Sequence, residues 1–199
     1  MLKRYGIIGF LKIMYSFILT KTFYNKSRLI RFPFDIRNRK NIDLGYNLTT
    51  GVGCRIEAHP IKENAGKTLI LGNNIEMNDY VHIAAGESVV IGNNVLLASK
   101  IFISDINHGS YTDPHHDSPL TIPNKRNLST SPILIEDNVW LGESVCVLPG
   151  VTIGKGSIIG SLSVVTKNIP PFSIAVGSPA KVIKTFDFNK KEWVKNIEK

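Results

Sequence analysis

The sequence predicts an all-β chain wound as a parallel β-helix of about five coils, with a basic helical leader before it and one long loop interrupting it. Three observations predict this. Aliphatic residues recur at every sixth position beyond residue 40, glycine often follows them, and residues 104–132 break the beat. The 199 residues suffice for one domain with a real core, and 43% hydrophobic content excludes a disordered chain.

Residues 1–40 form the leader. They hold ten bases (Lys3, Arg4, Lys12, Lys21, Lys26, Arg28, Arg31, Arg37, Arg39 and Lys40) against one acid, Asp35, whereas the remaining 159 residues hold 14 bases and 15 acids. The overall charge of +8 therefore belongs to the leader and is poor evidence for nucleic-acid binding. Phe23, Tyr24, Phe32 and Phe34 lie among the bases without forming a recognised nucleic-acid module, so no nucleic-acid partner is expected. Within the leader, Ile7, Phe10, Leu11, Met14 and Ile18 follow helical spacing, while Lys12, Ser16 and Thr20 share another face. The apolar run is short for a bilayer span and has no cleavage site after it. Two readings stay open: a helix packed on the body or a neighbouring subunit, and a peripheral contact with an anionic membrane through residues 1–40.

The body, residues 41–185, carries the repeat. Leu44, Thr50 and Ile56 are six apart, as are Leu71, Met77 and Ile83, then Ile91, Leu97 and Ile103. The longest run is Ile135, Leu141, Val147, Ile153, Ile159 and Val165. A period of six is neither helical nor alternating; it fits short flat strands joined by tight corners with the aliphatic side chain inward. Gly72, Gly92 and Gly142, with Asn73–Asn74 and Asn93–Asn94, are expected to relieve left-handed backbone at those corners. Three hexapeptides make one triangular coil, and stacked coils pair as parallel strands about 4.8 Å apart. A single hexapeptide cannot bury its apolar side, so stacking must supply the core. The step of eight from Ile83 to Ile91 implies a two-residue bulge near Gly86–Glu87. Residues 186–199 are expected to form a helical tail.

The interruption at 104–132 holds four prolines and three histidines, and a loop leaving a rigid coil is a natural place for substrate contacts. Cys54 and Cys146 have no CxxC spacing and read as small apolar residues of the repeat, which makes a reducing, cytoplasmic location the default. No GxGxxG, P-loop, HExxH or GxSxG assembly is present in supporting context.

Three segments carry a resemblance: IFISDINHG at 101–109, the run from Ile135 to Pro171 containing NVWLG and VVTKNIPP, and VGSPAKVIK at 176–184. Together they resemble the hexapeptide-repeat acyltransferases, in the branch of maltose, galactoside and other sugar O-acetyltransferases. Within that branch the chain looks nearest the enzymes that acetylate lipopolysaccharide or capsule sugars. The resemblance spans roughly residues 42–185 and implies a left-handed coil, a homotrimer, acetyl-CoA as donor with no metal required, and a saccharide acceptor. It places the chain in the cytoplasm, at the inner face of the membrane if the leader makes contact there.

The resemblance also implies site residues. His108 would take the proton from an acceptor hydroxyl, a weak nucleophile that neutral imidazole can activate near neutral pH. Asp105, three residues earlier, would orient His108. Asn78, Tyr80 and Trp140 would border the acceptor. Gly142, Ser161, Thr166, Lys167 and Lys181 would contact coenzyme A, the lysines through its phosphates. A backbone amide near Gly142 is the expected oxyanion donor. An amino-sugar N-acetyltransferase is the nearest alternative. A zinc carbonic anhydrase, drawing on His82, His115 and His116, and a non-catalytic scaffold are further ones.

Overall fold

A computed structural model describes residues 2–62, 65–112 and 114–195. Short parallel strands stack into three flat sheets that wall a triangular prism. The first sheet runs through Leu29–Ile30, Thr49–Thr50, Glu76–Met77, Leu96–Leu97, Trp140–Leu141, Ile158–Ile159 and Ser173–Val176. The second runs through Phe34–Arg37, Cys54–Ala58, His82–Ala85, Phe102–Ser104, Cys146–Val147 and Val164–Val165. The third holds five strands, from Ile42–Asp43 to Thr152–Ile153, so five coils are complete and a sixth closes through an isolated bridge between Ile153 and Ile169.

The six-residue beat becomes vertical columns. Met77, Leu97, Leu141 and Ile159 are in register on the first sheet, Ile56, Ile83, Ile103, Val147 and Val165 on the second, and Leu71, Ile91, Ile135 and Ile153 on the third. All are buried. A second inward position precedes each strand: Val95, Val139, Val145, Val151, Ser157 and Ser163 are also buried and fill the corners. Each buried aliphatic side chain contributes about 1.5–3 kcal/mol, which makes the columns the main source of stability.

Asparagine takes the left-handed corners as expected, but Gly72, Gly92 and Gly142 do not. Left-handed backbone falls at Asn74, Asn94 and Asn138 at one corner and at Gly53, Tyr80, Lys100, Ser144 and Leu162 at another, among other positions. Asn47, Asn74, Asn94 and Asn138 form an amide ladder, with Nδ2 to Oδ1 distances of 2.8, 3.0 and 3.3 Å. Gly142 instead answers to close stacking: a Cβ there would lie 2.6 Å from the Ser161 amide nitrogen.

Two parts depart from the sequence reading at the N-terminal end. The coils begin at Leu29 rather than residue 41, because Leu29–Ile30 and Phe34–Arg37 pair with Thr49–Thr50 and Cys54–Ala58. The leader is thus a helix, Leu2–Phe23, followed by the first coil. That helix packs through its polar face. Ser16 and Thr20 are buried; Thr20 Oγ1 accepts the Ile30 amide at 2.9 Å, and Ser16 Oγ accepts the Phe32 amide at 3.2 Å. The hydroxyls serve backbone groups of the terminal coil, and Ile7, Ile8, Leu11, Tyr15 and Ile18 remain exposed. By length and composition Tyr5–Phe23 could cross a membrane: 19 residues, mean hydropathy 1.3, and 11% buried.

At the other end the expected helical tail is a β-ribbon. Lys181–Asp187 pairs antiparallel with Ser173–Val176, and Glu192–Lys195 pairs with it in turn. Edge-to-face contacts link Phe186 to Phe188 and Trp193 at 5.0 and 5.3 Å, and Phe188 to Phe172 at 4.9 Å. The aromatic side chains meet only in the extended ribbon, which overrides the helical expectation.

Candidate active site

The long loop leaves the prism after Phe102–Ser104, where the second sheet turns toward the third. It is an ordered ribbon. Ile106–His108 pairs antiparallel with Leu128–Thr130, placing His108 opposite Leu128, and Tyr111–Thr112 pairs with His115–His116. Tyr111 donates its hydroxyl to the His108 carbonyl at 2.5 Å and accepts from Arg126 Nη1 at 2.7 Å. Ser129 Oγ donates to the Gly109 carbonyl at 2.6 Å. The backbone at His108 is therefore held from both sides while its side chain faces solvent.

Asp105 does not orient His108, which corrects the expectation. Its carboxylate is fully buried and accepts the amides of Gly86, Glu87 and Ser88 at 2.6, 2.9 and 2.7 Å. These three residues form the corner between His82–Ala85 and Val89–Ile91, where the step of eight placed its two extra residues. Three charge-assisted hydrogen bonds thus join the root of the ribbon to the coil below.

The other expected residues lie elsewhere on the prism. Asn78 and Tyr80 sit where the first sheet turns into the second, at the opposite end of the second-sheet strand from the ribbon. A four-residue strand spans about 13 Å, so these residues and His108 of the same chain occupy separate corners. Tyr80 covers Gly53 of the coil beneath, where a Cβ would meet its ring at 2.5 Å. Trp140 points outward, 46% exposed, in a stripe with Leu96, Ile158 and Ile174. Gly142 and Ser161 stack in successive coils beside Tyr80's corner. The Gly142 amide donates to the Ile159 carbonyl at 2.8 Å, so that amide itself is committed to the coil ladder. Thr166 and Lys167 are exposed at the second-to-third-sheet corner of the sixth coil, and Lys181 is exposed on the terminal ribbon.

Two groups result. His108 stands over one corner, and Asn78, Tyr80, Trp140, Gly142 and Ser161 gather along another. Among the described residues, no three His, Cys, Asp or Glu side chains form a group able to hold a metal ion.

A cluster that the sequence reading left out lies on the outer face of the second sheet. The Glu57 side chain, 3% exposed, accepts from Arg55 Nε at 3.0 Å, Arg37 Nη1 at 3.3 Å, His82 Nε2 at 2.8 Å and His59 Nε2 at 3.2 Å. Burial alone would raise its pKa. Hydrogen bonds from Arg55, His82 and His59, with the charge of Arg55, outweigh that and hold it at about 2. The signal was available, since matching Ile56 to Ile83 also sets Arg55 beside His82. By contrast, burial raises the Cys54 thiol, in keeping with an apolar role.

A family model described as bacterial transferase hexapeptide (six repeats) matches residues 132–167. The chain is 44% identical over 198 residues to WbbJ of Escherichia coli K12, provisionally assigned as a lipopolysaccharide biosynthesis O-acetyl transferase, covering 97% of this chain and 96% of that one. It is 30% identical to a galactoside acetyltransferase solved in complex with coenzyme A, with a TM-score of 0.52 over 76% and 74% of the two chains. AntD, an N-acyltransferase from Bacillus cereus solved with a dTDP-amino sugar and coenzyme A, shares the fold at a TM-score of 0.66 and 20% identity over 82% and 84%.

Proposed function

Because the chain belongs to the hexapeptide-repeat acyltransferase family and is an acetyl-CoA-dependent acetyltransferase, we propose that it acetylates a hydroxyl of a cell-envelope saccharide or its precursor. The observation that carries this reading is the near full-length identity to a protein assigned to lipopolysaccharide O-acetylation, joined to an exposed histidine on a braced ribbon. In the reaction, the His108 imidazole accepts the proton as the acceptor oxygen attacks the thioester carbonyl carbon. The tetrahedral intermediate then collapses, the C–S bond breaks, and the coenzyme A thiolate takes the proton back from the imidazolium. No acyl-enzyme is needed, because the thioester is already activated and one groove holds both reactants.

A homotrimer completes the arrangement. His108 and the Trp140 group stand at different corners of one prism, so closed three-fold packing would bring one chain's ribbon to its neighbour's groove. Exposed Leu96, Trp140 and Leu134 supply apolar surface for that packing. We further place the chain in the cytoplasm, with the helix Leu2–Phe23 lying on the inner face of an anionic membrane. Its exposed Ile7, Ile8, Leu11 and Ile18 and the surrounding bases suit that contact.

Thiol release from acetyl-CoA across a saccharide panel, with mild alkali to tell ester from amide products, tests the central reading. Alkali-labile acetyl groups are expected; transfer to amines alone would replace it with an N-acetyltransferase. Light scattering should give three times the 22.1 kDa chain mass. Co-flotation with vesicles rich in anionic lipid, lost in Leu11→Glu, is the expected sign of membrane contact.

A further inference from the structure

We propose that His82 and His59, positioned by Glu57, form a saccharide-binding subsite on the outer face of the second sheet, with Phe102 as its apolar floor. The proposal rests on the reading that the acceptor is a saccharide.

Glu57 is the unusual feature. It occupies an outward position at the end of Cys54–Ala58, yet four basic side chains close over it. Nothing in the coil repeat calls for a carboxylate there: the residues in register above it, Ala84 and Ser104, are small. Burying a charge is costly unless it is fully paired. The consequence of this pairing is geometric. Both imidazoles meet the carboxylate through Nε2, and in a neutral ring held this way the proton sits on Nε2 and Nδ1 is a hydrogen-bond acceptor. Arg55 gives Glu57 its Nε and Nη2, and its remaining nitrogen, Nη1, carries further donors. Acceptors and donors of fixed direction side by side suit hydroxyl groups, which both give and receive hydrogen bonds.

Charge and shape narrow the ligand. Asp35 and Glu57 balance Arg37 and Arg55 within the cluster, which favours a neutral polyhydroxyl compound over a phosphate. Phe102 follows His82 in the same outward row, 5.3 Å from its ring and 37% exposed, a surface for the C–H face of a pyranose. From His59 a groove of about 600 Å³ continues past Pro60 and Ile61 to Asn127 and Leu128. Leu128 is the cross-strand partner of His108. The groove that starts at His59 thus ends beside the strand partner of His108, which lets an oligosaccharide bind at one end and present a hydroxyl at the other.

The test is steady-state kinetics of the full-length protein on a saccharide that the wild type acetylates, varying each substrate in turn. Glu57→Gln, His82→Gln and His59→Ala should each raise the saccharide KM by about tenfold or more. The KM for acetyl-CoA and kcat should stay within about twofold. His59 is nearly half exposed, so His59→Ala also answers for any variant that fails to fold. An unchanged saccharide KM in His59→Ala and His82→Gln, or parallel losses against both substrates, would overturn the subsite while leaving the enzyme's activity as proposed. Wild-type transfer to no saccharide at all would overturn the functional reading and the subsite with it.

Discussion

His82 stands on the second wall and His108 on the ribbon that leaves the next coil of that wall, and the two are held in opposite ways. His108 rides on a ribbon whose backbone is pinned by Leu128, Tyr111 and Ser129, while its ring is exposed. His82 belongs to a coil strand, and its ring is tied to a buried carboxylate and set against Phe102. One device fixes where a side chain starts and leaves the imidazole open to a substrate. The other fixes the imidazole itself. A proton acceptor needs the first kind of freedom, and a recognition group gains from the second.

The sharpest way to break this contrast is at the base. His108→Ala should lower kcat/KM for acetyl transfer by about 10²- to 10⁴-fold, with an unchanged thermal midpoint, because the side chain is exposed. Retained transfer at the wild-type rate would remove His108 from its role. The anchor beneath the ribbon comes next. Asp105→Ala strands the amides of Gly86, Glu87 and Ser88, and should cost about 3 kcal/mol in urea unfolding. Asp105→Asn should cost less, since the amide oxygen can still accept. A full-sized activity loss with no change in unfolding would mean that the carboxylate acts on the reaction instead.

The buried carboxylate gives a pH signature. Its folded pKa, about 2, lies below the ordinary value of 4.5. The stabilisation is therefore complete above about pH 4.5 and is lost as pH falls toward 2. Glu57→Gln should show a flatter stability profile across that window than the wild type, measured by thermal melts; parallel profiles would deny the carboxylate its tight pairing. The smallest effect is expected in the amide ladder. Asn94→Ala should cost about 1 kcal/mol, because it loses side-chain hydrogen bonds and places alanine at φ 56°.

Particular residues show where sequence reading reaches its end. Ile135 to Val165 announced the inward columns because each coil there has 18 residues and no insertion. Most of the first coil went unread because its inward residues Ile30 and Ile36 lie among the bases of the leader and lack the following glycine. Glu57 and His82 are 25 residues apart only because of the segment after Ala58, so no fixed spacing joins them. Ser16 and Thr20 showed only as a polar face of the helix, since composition does not reveal that a terminal coil offers backbone groups to cover. The tail's aromatic side chains could not show in one dimension that they would gather around Phe172.

By itself, the sequence determined the prism and the place where its ribbon emerges, because a period of six is a local property that every coil repeats. Tertiary structure alone decided how tightly Glu57 is enclosed, what Asp105 holds, and which face of the first helix turns inward. Those outcomes depend on groups brought together by stacking, and stacking distance is set by whole coils with their insertions, not by neighbours along the chain.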